Sequence, residues 1–237
     1  MFSRENLNEL YKDIQICHIC PQMDGEKSLR LVDAVNPKSD VFIISQTLAE
    51  NQLRKSGVNF FQDDGSLGNT GANLERFLNK FCRTVYPNQE VMISGNVTVP
   101  SCNPKYKSVY NTEIAQCYPG KNKVKKGDRK PRSDEILNCH RKGFLIKEII
   151  TIQPRLLLLM GKESRDSFFD YFLTDRYLPS LSDHISAIID NGKIPVFTIG
   201  NLTLHVLPIQ HASGANPRFS NMINNNRLVE LIIEVLE

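Results

Sequence analysis

Residues 108–139 read SVYNTEIAQCYPGKNKVKKGDRKPRSDEILNC, and the parsing of this stretch decides the fold. Val109 to Gln116 has the composition of a strand. A polar, basic segment follows it. Ser133, just after Pro131, then opens a run with acidic residues in its first turn, which is how a helix begins. Strand, loop and helix in that order is one step of a winding α/β chain. Two residues ask for a further explanation: Glu113, where the strand opens onto solvent, and Cys117 just beyond it.

Three more apolar runs share the strand character: Val41 to Ser45, Arg155 to Gly161 and Leu202 to Gln210. The first two of these are continuous rather than alternating, as expected of strands buried on both faces. Helical spacing marks Asn73 to Arg83, through Leu74, Phe77, Leu78 and Phe81. It also marks Ser133 to Ile152, roughly Leu178 to Asp190, and a last helix from about Asn221. The expectation is one α/β domain over residues 1–237, a three-layer α/β/α sandwich around a central, mainly parallel four-stranded sheet. In a parallel sheet the loops SQTLAENQLRKSGVNFF, Glu113 to Arg132 and HASGANPRF all open on the carboxyl edge, where such folds bind ligands.

Composition narrows the class. At 41% hydrophobic and 23% charged the chain reads as an ordinary globular protein. No run approaches the ~18 apolar residues of a membrane span, and no signal-peptide pattern opens the sequence. The expectation is a cytoplasmic monomer without a membrane partner. Six cysteines (17, 20, 82, 102, 117 and 139) then point to metal or redox work rather than stable disulfides. Cys17-His18-Ile19-Cys20 is a C-x2-C pair, and Cys117 and Cys139 are a second, wider pair. Four thiolates can close a zinc site or hold an iron–sulfur cluster, and spacing alone does not choose between them. Cys82 and Cys102 read as ordinary cysteines, and His18 and His140 as bystanders.

The order of these elements resembles the uracil-DNA glycosylase superfamily, most closely its iron–sulfur branch, the family 4 type. The resemblance runs from Cys17 to Phe219. It rests on Cys17 and Cys20; Ser45-Gln46-Thr47-Leu48-Ala49; Gly57-Val58-Asn59-Phe60; Cys117-Tyr118-Pro119-Gly120; Cys139; and His211-Ala212-Ser213. It implies a DNA glycosylase of base excision repair, acting on single- or double-stranded DNA. It also implies a [4Fe-4S] cluster on Cys17, Cys20, Cys117 and Cys139, with zinc as the alternative. Phe60, with Phe61 as the fallback, matches the aromatic that stacks on the extruded base, unless it is simply a core residue. His211 matches the histidine that donates to the base carbonyl. Ser45 and Glu113 fall at the base edge, and Ser213, Asn216 and Arg218 suit the DNA backbone. Lys121, Lys123, Lys125, Lys126, Arg129, Lys130 and Arg132, set against Asp128, form a basic loop suited to phosphates.

Three positions depart from the family pattern. Gln46 replaces a glutamate, so this side chain can orient a water but cannot act as a base. Ala212 replaces a proline, which loosens the turn. Glu113 stands where an asparagine reads uracil. An asparagine amide offers a donor and an acceptor, whereas an ionised carboxylate only accepts. It would repel uracil O4 and accept from the exocyclic amine of a cytosine-like edge. A protonated Glu113 could still imitate the amide. The expected substrate is therefore a modified cytosine, such as those of phage DNA, or a uracil-type base. Phage defence then stands beside repair as a pathway, and a catalytically inactive DNA-binding relative is the alternative.

Overall fold

Five consecutive aliphatic residues, Leu156–Met160, bury completely only if helices cover both sides of the sheet that contains them. The structure, a computed structural model, describes residues 4–20, 36–47, 58–94, 97–124, 127–172, 178–214 and 216–237. In chain order its elements are α1 (Arg4–Ile16), β1 (Val41–Ser45), α2 (Asn69–Leu78), β2 (Arg83–Thr84), β3 (Val91–Ser94), β4 (Val97–Val99), β5 (Lys107–Ser108), β6 (Tyr110–Glu113), α3 (Ser133–Lys142), α4 (Phe144–Ile152), β7 (Leu156–Met160), α5 (Lys162–Phe172), α6 (Leu181–Asn191), β8 (Val196–Ile199), β9 (Leu202–Ile209), α7 (Pro217–Ile223) and α8 (Asn226–Leu236).

The main sheet has the order β6-β1-β7-β9-β8. β6, β1, β7 and β9 run parallel, and β8 is an antiparallel edge strand. The four strands expected from sequence are the four parallel ones. The fifth, β8, forms a hairpin with β9 through Gly200 at φ 60°. Val196 and Thr198 face solvent on this edge, so β8 carries no continuous apolar run to announce it.

Alternate residues of each strand feed opposite cores. Val41, Ile43, Leu156, Leu158, Leu207 and Ile209 pack with α2, α6, α7 and α8. Phe42, Ile44, Tyr110, Leu157, Leu159 and Val206 pack with α1, α4 and α5. This is the three-layer sandwich, and each of these side chains contributes about 1.5–3 kcal/mol by leaving water. The expected single helix Ser133 to Ile152 is two helices, because Gly143 takes a left-handed φ of 69° and ends α3. The C-terminal helix likewise divides at Asn224 and Asn225.

Helix α1 is tied to the sheet through a buried polar chain. Tyr11 and Tyr110 share a 2.7 Å hydroxyl contact, and Tyr110 and Thr112 donate to the two carboxyl oxygens of Glu148 at 2.8 and 2.7 Å. Glu148 is fully buried, and these partners offset the cost of removing its polar atoms from water. Among the described residues, no helix is long and apolar enough to cross a membrane.

Candidate active site at the carboxyl edge of the sheet

β1 is followed by α2 on one face and β7 by α5 on the other, so the chain reverses its winding between β1 and β7. A crevice therefore opens beyond their carboxyl ends. Ser45 ends β1 and pairs in register with Glu113 at the end of β6. Because neighbouring residues in a parallel sheet share a face, Glu113 and Asn111 stand on the α2 side, with Ile43 and Ser45. Thr112 points the other way, to Glu148. Glu113 is only 3% exposed, so it is a buried carboxylate rather than one opening onto solvent. Asn59 Nδ2 donates to Glu113 Oε1 at 2.7 Å and to Asn111 Oδ1 at 2.9 Å. Ser45 Oγ donates to the Thr112 carbonyl at 3.2 Å.

Phe60 follows directly. Its φ of 72° is left-handed, a conformation an aromatic residue rarely adopts. Three contacts hold it there: its N–H donates to Asn59 Oδ1, its carbonyl accepts from Gly68 N–H, and the bare Gly71 backbone lies against it. A Cβ on Gly71 would come within 2.8 Å of the Phe60 Cβ and carbonyl oxygen. Strain of this kind, about 1–3 kcal/mol, persists where the surroundings over-determine it, often at sites of function. Phe60 and Phe61 are both buried in the α2-side core.

Past β9, His211 packs over Gly161, whose φ of 90° and absent Cβ let the β7–α5 turn approach the imidazole. Ser213 N–H donates to His211 Nδ1 at 3.2 Å, so the ring proton belongs on Nε2, where it can be donated to a ligand. Burial lowers the His211 pKa; Glu163 acts to raise it and Lys130 to lower it. The result is a neutral imidazole donor. Asn73 Nδ2 grips the Ala212 carbonyl and Asn216 Nδ2 the His211 carbonyl, each at 2.9 Å. The turn expected to be loosened by Ala212 is thus held by two asparagines. Asn216 also caps α7, and Arg218 is exposed at its start.

Gln46 follows Ser45 into the crevice. Its Nε2 is buried and has no hydrogen-bond partner among the described residues. A buried donor left unsatisfied costs about 1–3 kcal/mol, so this amide is poised to bond a water or a ligand.

The basic loop is less cationic than its sequence. Lys121 and Tyr118 both bond Asp128. Arg129 forks onto Glu135 at 2.7 and 2.8 Å, and Arg132 N–H donates to the same carboxylate. Burial works to raise Glu135, but these donors and charges win and hold its carboxyl below the usual range. Lys130 is paired with Glu163. Asp128 therefore does not face the cations alone. Lys123 is exposed, while Lys125, Lys126, Leu48, Ala49 and Gly57 lie outside the described residues.

Cys17 and Cys20 follow α1, Cys117 follows β6, and Cys139 lies in α3. Burial pushes the Cys139 thiol up to about 12, and Cys117, Cys20 and Cys17 each add to that rise. Asn138 Nδ2 donates to Cys20 Sγ at 3.6 Å. Such a thiol is a poor nucleophile and needs a cation to hold it as thiolate. By donor chemistry alone, four thiolates are the set that zinc or an iron–sulfur group takes. Among the described residues, no set of three or more His, Cys, Asp or Glu side chains stands in metal-binding geometry. His18 is exposed; His140 bonds Ser167 and stacks on Tyr171. Cys102 lies against Asn88 and Tyr106.

Sequence reasoning missed Asn59, Asn73, Asn111, Gly71 and Glu163. Asn59 sits beside Phe60 and Asn111 two residues before Glu113, but only the fold shows them facing one another. In comparison with known proteins, the family described as the Uracil DNA glycosylase superfamily matches residues 32–237. No curated protein matches the chain.

Proposed function

The chain belongs to the uracil DNA glycosylase superfamily, and on that premise we propose that it is a monofunctional DNA glycosylase whose target carries a cytosine-like, amino-bearing edge, in practice a modified cytosine. Membership supports DNA glycosylase activity generally. The choice of base rests on one observation: a buried Glu113 at the end of β6, bonded by Asn59.

The glycosidic bond cannot be reached inside the stack, so the nucleotide is extruded first. Phe60, buried against the α2-side core before a base enters, is the aromatic on which the extruded ring would stack. Glu113 accepts a hydrogen bond from the exocyclic amine, the pairing that carboxylates make with cytosine. β9, which His211 follows, is three strand spacings from β6 across β1 and β7, about 14 Å, a span that two side chains with a pyrimidine between them can fill. The bond to C1′ breaks with its electron pair on the base. Negative charge then grows on the base carbonyl oxygen, where His211 Nε2–H donates, a use of fixed donors that lowers barriers efficiently. Water adds to C1′ and its proton ends on the departing base. Gln46 orients that water without taking the proton.

Ser213, Asn216, Arg218 and the basic loop bind the DNA backbone, and the protein acts as a monomer. Cys17, Cys20, Cys117 and Cys139 would hold a [4Fe-4S] cluster, or zinc in its place, tying the end of α1 to β6 and α3. The group would supply cohesion to the DNA-facing loops.

The test is a panel of single- and double-stranded oligonucleotides bearing uracil, hypoxanthine, mismatched thymine and several modified cytosines, with abasic sites revealed by alkali. The expected result is alkali-dependent breakage at a modified cytosine. Breakage with none of these substrates overturns the enzymatic reading.

A further inference from the structure

We propose that Asn59 is a positioning residue that holds Glu113 in its acceptor form and couples it to Phe60, so that edge reading and stacking are set by one amide. This rests on Glu113 being the edge-reading group. Phe60 N–H can only donate, so the oxygen of Asn59 must face it and Nδ2 must face Glu113. The amide therefore has one orientation. Its donor meets Glu113 Oε1 at 2.7 Å, a length typical of charge-assisted bonds. Burial alone would favour the neutral acid, which could imitate an asparagine and accept uracil. A donor on Oε1 favours the carboxylate, which rejects uracil O4 and takes an amine.

The same side chain anchors the left-handed Phe60 backbone. Asn111 Oδ1 accepts the second N–H of the same Nδ2 at 2.9 Å. Any change at Asn59 is thus felt both at the edge of the base and at its face.

The variants are Asn59→Asp and Asn59→Leu. The aspartate keeps the shape but sets two carboxyl groups face to face, so the pair retains a proton at neutral pH. The leucine removes the donor without adding charge. Two readouts are taken. The first is 13C NMR titration of the Glu113 carboxyl, assigned with Glu113→Gln, which requires no catalysis. The second is release of modified cytosine against uracil across pH. In Asn59→Asp the ratio of modified-cytosine to uracil release should fall about tenfold at neutral pH and recover as the pH is raised and the shared proton is lost. In both variants Glu113 should titrate at least about one pH unit higher than in the parent. An unmoved Glu113 titration in both variants overturns the inference even if the parent releases modified cytosine. A moved titration, with no base released by the parent, upholds the hold of Asn59 on Glu113 and overturns the glycosylase reading instead.

Discussion

His211 shows how a single residue acquires a role from its neighbours. Ser213 N–H occupies Nδ1, and burial keeps the ring neutral. Removing the donor in His211→Ala should lower base release about 10²–10³-fold with little change in DNA affinity, measured by single-turnover kinetics and binding titration. Protonation would put a second donor against Ser213 N–H and turn the ring away, so activity should fall on the acid side. Because the folded pKa is depressed, that limb should lie below pH 6.5. Lys130→Ala removes a cation that lowers this pKa and frees Glu163, which raises it. The acid limb of its pH–rate profile should therefore move upward. The chemical identity of His211, Glu113 and Gln46 was legible in the sequence. The bonding of His211 and Glu113 was not, since it depends on the local turn that aims Ser213 N–H at Nδ1 and on Gly161 and Asn59, which only the fold brings to them.

Elements carry the site through close backbone approaches. Helix α2 reaches Phe60 only because Gly71 has no Cβ. Gly71→Ala should cost about 1–3 kcal/mol in a thermal or urea melt, and it should weaken base release more than the stability loss explains. Of the parallel strands, β1 and β7 were legible as continuous apolar runs, and β6 and β9 from strand-like composition between helical stretches. β8 was not, since its outward residues break the apolar pattern, and neither was the Gly143 break, since glycine inside a helical pattern is ambiguous until φ is known. The loop after β6 was legible as basic, but its ion pairs were not, because Glu135 and Glu163 come from helices further along the chain. Lys123 is exposed at that loop. Lys123→Glu should weaken binding to all DNA sequences alike and make the log–log salt slope shallower by about one or more.

At the scale of the molecule, the buried Tyr11–Tyr110–Glu148 chain binds α1 to the sheet, and the proposed four-cysteine site would add a second tie. Replacing Cys117 by serine should reduce bound iron or zinc, measured by elemental analysis of anaerobically purified protein, and should lower the melting temperature. Protein that carries neither metal and melts unchanged in Cys117→Ser would contradict the assignment. The central claim is that a superfamily scaffold has been turned from uracil to an amino-bearing base by Glu113. Its most direct test is the ratio of single-turnover release rates for one modified cytosine and for uracil, in otherwise identical duplexes, in the parent and in Glu113→Asn. The expected result is a preference for modified cytosine in the parent that shifts toward uracil in the variant. Faster release of uracil by the parent, or a ratio untouched by Glu113→Asn, would contradict the claim.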